Sequence, residues 1–118
     1  MTLDECFEKR MLRRIRPDKL KAHKSVEVAK NKLEEARALL KAGFGNTALV
    51  NAYASMFHAG RALLFRDGIQ EKSHYCLLVY LKEKYTGRIS AGILSSMDAY
   101  REERHEVLYS LEKTKISQ

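Results

Sequence analysis

The sequence contains few of the residues that interrupt helices. Its 118 residues include a single proline, Pro17, and only six glycines. Glycine and proline disfavour the interior of a helix more strongly than any other residues. Their scarcity, together with long runs of helix-forming residues, predicts an all-helical chain, and the length is that of one domain covering residues 1–118.

Long apolar runs are also missing. No stretch approaches the roughly 20 apolar residues that a helix needs to span a bilayer. The first ten residues, MTLDECFEKR, are too rich in charge for a signal peptide. We therefore expect a cytoplasmic protein that does not bind a membrane. In that compartment Cys6 and Cys76, which lack the spacing of metal ligands, are expected to be reduced and structural.

The motifs of common cofactor and metal sites are absent as well. The sequence has no P-loop, no GxGxxG stretch and no Gly-x-Ser-x-Gly nucleophile elbow. Neither the histidines nor the cysteines have the spacing of a zinc site. We therefore predict that the protein binds no metal and needs no cofactor. The four histidines are His23, His58, His74 and His105.

Positive charge is concentrated in one part of the chain, which we call the basic segment, Lys9–Lys24. It contains eight basic residues and one acidic residue, whereas the rest of the chain has fourteen of each, so it carries the whole net charge of +7. Such a segment is a candidate surface for a polyanion or an acidic partner, with Arg10, Arg13 and Arg14 as candidate ligands. The alternative is a solvated surface. The segment contains no aromatic residue, which argues against base stacking there.

Apolar periodicity predicts two helices in the first third of the chain. Thr2 and Glu5 have the spacing of a capping box, and apolar residues then recur every four positions to about Arg14. Pro17 suits the first turn of a second helix, which continues to a glycine-containing turn. Asn46 is a candidate cap for the third helix. The apolar seam of the second helix consists of Ala22, Val26, Ala29, Leu33, Ala36 and Leu40.

The third predicted helix, Asn46–Phe65, is apolar on most of its circumference. A helix of this kind is buried on several sides or forms half of a subunit interface, which favours a homodimer. Gly60 allows a neighbouring helix to approach closely. The polar exceptions form a line of their own along the helix, and they are Thr47, Asn51, Ser55 and His58.

Two further helices complete the predicted fold. The stretch DGIQEKS predicts a loop, and Ser73 predicts the cap of a short fourth helix. A break at YTGRIS precedes a fifth helix from about Ile89 to Lys113. The sequence therefore predicts an all-α, up-and-down bundle of about five helices.

The fifth predicted helix carries the densest set of groups capable of chemistry. Arg104 falls on its apolar stripe, where an unpaired guanidinium is costly, so it must face a polar cleft or an acidic neighbour. Arg101, His105 and Tyr109 form a second line along the same helix. The cations can hold a phosphate, and His105 or Tyr109 can exchange a proton. The alternative is a solvated helix face on which arginines pair with nearby glutamates.

Two stretches of the chain resemble the HEPN domain family. They are NAYASMFHAGRALLFRDGIQEKSHYCLLVYLKE and the last-helix motif YREERHEVLY. The resemblance covers about residues 20–113 and is strongest to the stand-alone prokaryotic branch that is often paired with minimal nucleotidyltransferases, called MNT. It implies an up-and-down helical bundle that forms a homodimer with a cleft between the subunits.

The resemblance also bears on catalysis, because many members of this family are metal-independent ribonucleases with an Arg-x(4–6)-His motif on the last helix. Arg104 matches the motif arginine, but Tyr109 stands where a histidine is expected. A tyrosine titrates near pH 10, so it is a poor base for RNA cleavage. His105 lies about 100° away from Arg104 around an ideal helix, so a shared site needs long side chains or the second subunit.

Three functions remain open at this point. The first is a nucleotide- or partner-binding module, paired with a nucleotidyltransferase in a toxin–antitoxin-like system, with Arg104 and Tyr109 in the cleft and Asn51 or His58 supporting the arginine. The second is a metal-independent endoribonuclease toxin that uses Arg104 with His105 or Tyr109. The third is a structural dimer without a ligand. The tyrosine at position 109 favours the first.

Overall fold

The computed structural model describes residues 1–102. Helix α1 spans Leu3–Glu8, strand β1 Leu12–Arg14, α2 Lys19–Lys41, α3 Gly45–Asp67, β2 Ile69–Glu71 and α4 His74–Lys84. A fifth helix, α5, begins at residue 91 and is described as far as residue 102. The predicted all-α bundle of about five helices is confirmed, with the addition of a two-stranded ribbon formed by β1 and β2.

The first helix is much shorter than its periodicity predicted. The capping box is present, because the Thr2 hydroxyl accepts a hydrogen bond from the Glu5 amide. However, α1 ends at Glu8, and the prediction of a helix to Arg14 was wrong. Arg10 has a left-handed φ of +59°, which a right-handed helix of L-residues cannot continue through. The chain then leaves the helical path and enters β1.

The ribbon joins the start of the chain to its middle. β1 pairs with β2 in an antiparallel register that sets Leu12 opposite Glu71 and Arg14 opposite Ile69. Leu12 and Ile69 are almost fully buried, so apolar contact holds the ribbon against the helices. The prediction of a loop at DGIQEKS was wrong. A strand of three residues is defined by its pairing partner, here 57 residues away along the chain, rather than by its own pattern.

The turn from α3 into β2 requires glycine. Gly68 has a φ of +80°, and a Cβ at this position would lie 2.8 Å from the carbonyl oxygen of Ile15. The Ile15 amide donates a 2.9 Å hydrogen bond to the Gly68 carbonyl, and the Asp18 amide donates one of the same length to the Phe65 carbonyl. These bonds attach the basic segment directly to the C-terminal end of α3.

The two longest helices, α2 and α3, form an antiparallel hairpin with caps that differ from those predicted. The Asp18 carboxylate caps α2 by accepting a 2.9 Å hydrogen bond from the Lys21 amide. Pro17 therefore precedes the cap and does not lie in the first turn. At the start of α3 the cap position is held by Phe44 without a side-chain hydrogen bond, so Asn46 is not the cap.

Only part of the predicted apolar seam of α2 is buried. Ala29 and Ala36 are buried, whereas Val26, Leu33 and Leu40 are exposed. The exposed leucines border a groove of about 300 Å³, which we call the α2–α3 groove. It is lined by Leu33, Ala36 and Leu40 of α2 and by Ala48, Leu49 and Ala52 of α3.

Helix α4 packs closely against α3 in the centre of the molecule. The Ser73 hydroxyl caps α4 as predicted, by accepting a 3.2 Å hydrogen bond from the Cys76 amide. Gly60 permits the close approach, because a Cβ at this position would lie only 3.1 Å from side-chain carbons of Leu77 and Leu81. Both leucines are almost completely buried, so this contact forms the middle of the core.

A disulfide joins the first helix to the fourth. Cys6 of α1 and Cys76 of α4 are bonded to each other, and both are fully buried. The Met1 sulfur lies 3.7 Å from the sulfur of Cys6 and 3.6 Å from that of Cys76. The expectation of two isolated, reduced cysteines was therefore wrong, because the fold brings together two thiols that lie 70 residues apart in the sequence.

Among residues 1–102, no helix combines the length and the apolar character needed to cross a bilayer.

We expect reduction of the disulfide to destabilise the protein. A cross-link that closes a loop of 70 residues restricts the unfolded chain, and the chain-entropy relation gives a loss of roughly 4 kcal/mol in unfolding free energy when it is broken. The midpoint of urea unfolding should fall when dithiothreitol is added. The variant Cys6→Ala/Cys76→Ala should have the same midpoint with and without reductant. A wild-type midpoint that ignores dithiothreitol would contradict this prediction.

Candidate functional site

The polar line of α3 faces the neighbouring helix. The Ser55 hydroxyl donates a 2.7 Å hydrogen bond to the Ala29 carbonyl of α2. One turn earlier, the Asn51 amide nitrogen donates to the Glu35 carboxylate at 3.4 Å, and Lys32 lies 3.3 Å from the same carboxylate. Two residues of the predicted line, Ser55 and Asn51, thus contact α2, and Asn51 joins a small charged network there, whereas Thr47 is exposed.

The next turns of α3 carry a cluster of aromatic and cationic groups around Phe57. The ring centroid of His74 lies 3.8 Å from that of Phe57, and the Arg61 guanidinium carbon lies 4.5 Å from the same centroid. His58 meets the Phe57 ring edge to face at 5.7 Å. The Tyr53 hydroxyl is hydrogen bonded to His74 Nδ1 at 2.6 Å. Contacts of this kind between cations and ring faces are favourable and hold the side chains in place.

Arg61 is held from its other side by a buried carboxylate. Its Nε and Nη2 atoms each donate a 3.0 Å hydrogen bond to Glu71, one to each carboxylate oxygen. The Glu71 side chain is 5% exposed and that of Arg61 is 30% exposed. A bidentate pair of this geometry is among the strongest ionic contacts in proteins. Arg61 is therefore committed to Glu71 and acts as a positioning residue for the cluster.

His58 is a neutral imidazole in positively charged surroundings. Partial burial, followed by the positive charges of Arg61 and Lys32, lowers its pKa below the usual value near 6.5, and Glu71 opposes this only weakly. The side chain remains half-buried, so solvent or a ligand can reach it. A neutral histidine beside two cations can accept a hydrogen bond or a proton from an incoming acidic group.

The predicted ligands of the basic segment lie on an exposed surface near the ribbon. Arg10 lies in the turn after α1, and Arg13 donates a 2.6 Å hydrogen bond to the side chain of Gln70. The guanidinium carbon of Arg14 lies 4.7 Å from the ring centroid of Phe7. All three arginines are exposed. They are separate from the cluster around Phe57.

Arg101 is the one predicted residue of the last helix within the described range. Its Nε donates to Asp98 at 3.2 Å, its Nη2 lies 3.8 Å from Glu102, and its guanidinium carbon lies 5.8 Å from the ring centroid of Tyr75. These are the local pairs expected of a solvated helix face. The structure thus does not bring Arg101 together with Asn51 or His58.

Three other predicted residues lie outside the described residues. They are Arg104, His105 and Tyr109. Among residues 1–102, no three His, Cys, Asp or Glu side chains come together as a metal ion would require.

Sequence reasoning missed two of the residues that organise the cluster, Arg61 and Glu71. Arg61 and His74 both stand in the stretch that resembles the HEPN domain family, so a signal was present for them. Glu71 stands in the same stretch, but its burial was not predictable, because it depends on the strand that DGIQEKS was not expected to form.

We expect Glu71→Gln to destabilise the protein without unfolding it. Breaking a fully buried ion pair costs about 3–5 kcal/mol. Here the loss should be nearer 2 kcal/mol, because the Arg61 side chain keeps contact with water. Urea unfolding followed by circular dichroism measures it, with Glu83→Gln on the exposed side of α4 as the control. Equal unfolding free energies for the two variants would show that the pair contributes nothing.

Comparison with known proteins places these residues in a family context. The family model described as the HEPN domain matches residues 22–117. The match includes the cluster around Phe57 but leaves out α1, β1 and most of the basic segment. A search of curated proteins and a search of solved structures each found no match.

Proposed function

This chain belongs to the HEPN domain family, and we propose that it is a nucleotide-binding module with its site at His58 on α3. The family associates the chain with nucleotide- and RNA-related functions in general. Among these functions, one observation above all supports a binding role. His58 is a half-buried imidazole packed against the Phe57 ring, and burial together with the charges of Arg61 and Lys32 lowers its pKa.

The surroundings of His58 suit a phosphate group. Arg61 and Lys32 are paired with the carboxylates of Glu71 and Glu35, but the positive charges of both still act on His58. At this partly desolvated position their attraction for an anion is stronger than it would be in open solvent. Asn51 lies seven residues before His58, so the two side chains emerge on one face of α3 about 10 Å apart along the axis. That distance is comparable to the span of a nucleotide, so a contact of the Asn51 amide with the base or sugar is compatible with a phosphate at His58.

We propose that Arg104 and Tyr109 also contribute to this site, as the resemblance to the family implies. Arg104 would add a guanidinium that can bind phosphate through two hydrogen bonds. Both residues lie outside the described range, so their part in the site rests on the resemblance alone. The alternative function, an endoribonuclease that uses Arg104 with His105 or Tyr109, rests on the same resemblance.

We propose that the protein acts as a homodimer and that the α2–α3 groove forms part of its interface. Leu33 and Leu40 are 41% and 67% exposed beside this groove, and such apolar surface is typical of an interaction site. The neighbouring exposed side chains of α2 include Glu34 and Arg37, which carry opposite charges. Mixed charge suits a two-fold interface, because there the same patch must pair with itself.

We also propose that the dimer works with a minimal nucleotidyltransferase in a toxin–antitoxin-like pair. This rests on the resemblance to the branch in which the two proteins are often paired. Co-expression with the nucleotidyltransferase of the source cell, followed by purification through a tag on one partner, tests it. Separate elution of the two proteins would contradict it.

We expect ATP to raise the pKa of His58. A bound phosphate offsets the cations that lower this pKa, so the NMR titration midpoint of His58 should move upward. His58→Ala should weaken ATP binding about tenfold or more in isothermal titration calorimetry, as for the loss of a hydrogen bond to a charged group.

The matched control for this prediction is His23→Ala. His23 lies on the exposed face of α2, where it pairs with Glu27, and its loss should leave ATP affinity unchanged. Arg104→Ala should remain folded and lose ATP binding. An unmoved His58 midpoint in saturating ATP and AMP would contradict the proposed site.

We expect Leu40→Glu to dissociate the dimer. When two subunits associate, a carboxylate in the α2–α3 groove would lose its water without gaining an ion-pair partner. This free-energy cost disfavours the dimer. Multi-angle light scattering should give the mass of a dimer for the wild type and that of a monomer for the variant. Leu20→Glu is the control, because Leu20 is similarly exposed, at 64%, but lies at the other end of α2. A wild-type monomer at micromolar concentration would contradict the proposal.

A further inference from the structure

A second polar network lies where α3 ends, remote from His58 along the helix. The hydroxyls of Tyr80 and Tyr85 both donate to one carboxylate oxygen of Asp67, at 3.0 and 2.6 Å. Burial, together with the hydrogen bonds to Asp67, raises the pKa of both tyrosines, so the hydroxyls stay protonated and keep donating. The Asp67 carboxylate is therefore occupied by two neutral donors.

Three arginines from distant parts of the chain surround this network. Arg66 Nη2 donates a 2.9 Å hydrogen bond to the Tyr85 hydroxyl, and the Arg88 guanidinium carbon lies 5.3 Å from the Tyr85 ring centroid. Arg14 pairs with Ile69 in the ribbon, two residues beyond Asp67. The positive charge of Arg14 also lowers the pKa of the Tyr80 hydroxyl, in opposition to the burial that raises it. We call Arg14, Arg66 and Arg88 the ribbon-end surface.

The guanidinium groups of this surface are held in place and still open to solvent. All three arginines are exposed, and the Arg66 side chain retains 55% of its accessible area. Arg14 lies over Phe7 and Arg88 over Tyr85, so two of the three cations rest on an aromatic ring. Less side-chain entropy is lost when an anion binds to groups that are already ordered.

The charge of the ribbon-end surface is strongly unbalanced. Three arginines face one carboxylate, Asp67, whose Oδ2 accepts from two tyrosine hydroxyls and whose Oδ1 lies 3.7 Å from Arg66 Nε. The adjoining basic segment adds further arginines and lysines. Its one acid, Asp18, is engaged in capping α2. The fold thus extends the basic segment with Arg66 and Arg88, which the sequence places far from it.

We propose that the ribbon-end surface binds the phosphodiester backbone of a nucleic acid. A guanidinium can hold a phosphate through two parallel hydrogen bonds, and several ordered guanidiniums on one surface match the repeated phosphates of a strand. This surface goes beyond the site at His58, since it uses other residues, and Arg14 lies outside the part of the chain that the family model matches.

The chemistry of the surface favours contact with phosphates over contact with bases. The ring of Tyr85 is buried, and Arg88 lies over it, so it offers no stacking platform. The surface also lacks the apolar centre of a protein interface. Within the described part of the chain, none of the large exposed apolar side chains lies on β1 or β2, at the end of α3 or in the turn that contains Arg88. Recognition should therefore be electrostatic and largely independent of sequence.

The test is fluorescence anisotropy of a labelled 20-nucleotide single-stranded RNA, and of a DNA of the same sequence, over a range of salt concentrations. The logarithm of the binding constant should fall linearly with that of the salt concentration. Arg66→Gln/Arg88→Gln removes two proposed phosphate contacts, so the slope should become shallower by about 1.4. Arg66→Lys/Arg88→Lys keeps the charge and should keep most of the slope.

The matched control is Lys30→Gln/Lys41→Gln, which removes the same charge from exposed positions in the middle and at the far end of α2. This variant should keep the wild-type slope. Because Arg66 is hydrogen bonded to Tyr85, Arg14→Gln/Arg88→Gln serves as the second test variant if the first melts early in circular dichroism. Binding of either probe with the expected salt dependence supports the proposal.

Two results would overturn it. One is an equal change of slope in the ribbon-end variants and in the α2 control, which would show that only total charge matters. The other is tighter binding of a poly-glutamate peptide than of either nucleic acid, which would assign the surface to an acidic protein. Neither of these results depends on the titration of His58 with ATP. Each of the two proposals can therefore be contradicted without contradicting the other.

Discussion

The structure depends on the antiparallel pairing of β1 with β2. This short ladder fastens the first sixteen residues to the turn after α3 and buries Leu12 and Ile69 in the core. Because successive strand residues point to opposite faces, Glu71 turns inward to meet Arg61, and its neighbour Gln70 turns outward to meet Arg13. One ladder thus positions the buried ion pair and joins the basic segment to the rest of the protein.

The same contact, an arginine over an aromatic ring, has different consequences in two places. Over Phe57, the guanidinium of Arg61 is neutralised by the buried carboxylate of Glu71, so the contact stabilises the cluster around His58. Over Tyr85, the guanidinium of Arg88 has no carboxylate of comparable burial facing it within the described residues. The charge of that second arginine remains directed toward solvent, where a phosphate can reach it.

Membership in the HEPN domain family accounts for the helical bundle but leaves the chemistry of this chain to its own residues. A fold supports many functions, so a function must be argued from particular groups and their geometry. The family match begins at residue 22, and the disulfide cysteine of α1, strand β1 and most of the basic segment precede it. Features outside the match therefore extend what the bundle offers to a ligand.

The extent of the core also explains why an apolar face of α2 remains exposed. Gly60 lets α4 approach α3 closely, so that Leu77 and Leu81 pack against the third helix. The seam of α2 is only partly covered, since Ala29 and Ala36 are buried and Leu33 and Leu40 are not. Apolar surface left uncovered in this way favours association.

The sequence by itself determined the long helices α2 and α3 and the N-terminal caps of α1 and α4. The capping box of Thr2, the cap at Ser73 and the periodicity of α2 and α3 depend on residues three or four positions apart, so local pattern predicted them. It also indicated the family and identified Asn51 and His58 as polar groups on an apolar helix. Their actual neighbours, such as Glu35, were not predictable from that pattern.

Only the tertiary structure decided the ribbon, the disulfide and the grouping of charges. The pairing of Leu12 with Glu71 and the bond between Cys6 and Cys76 join residues far apart in the sequence, and neither leaves a periodic signal. Whether a carboxylate such as Glu71 is buried depends on which side chains the fold places around it. Local pattern encodes hydrogen bonds within a turn of helix, whereas charge partners and strand partners are set by packing over the whole chain.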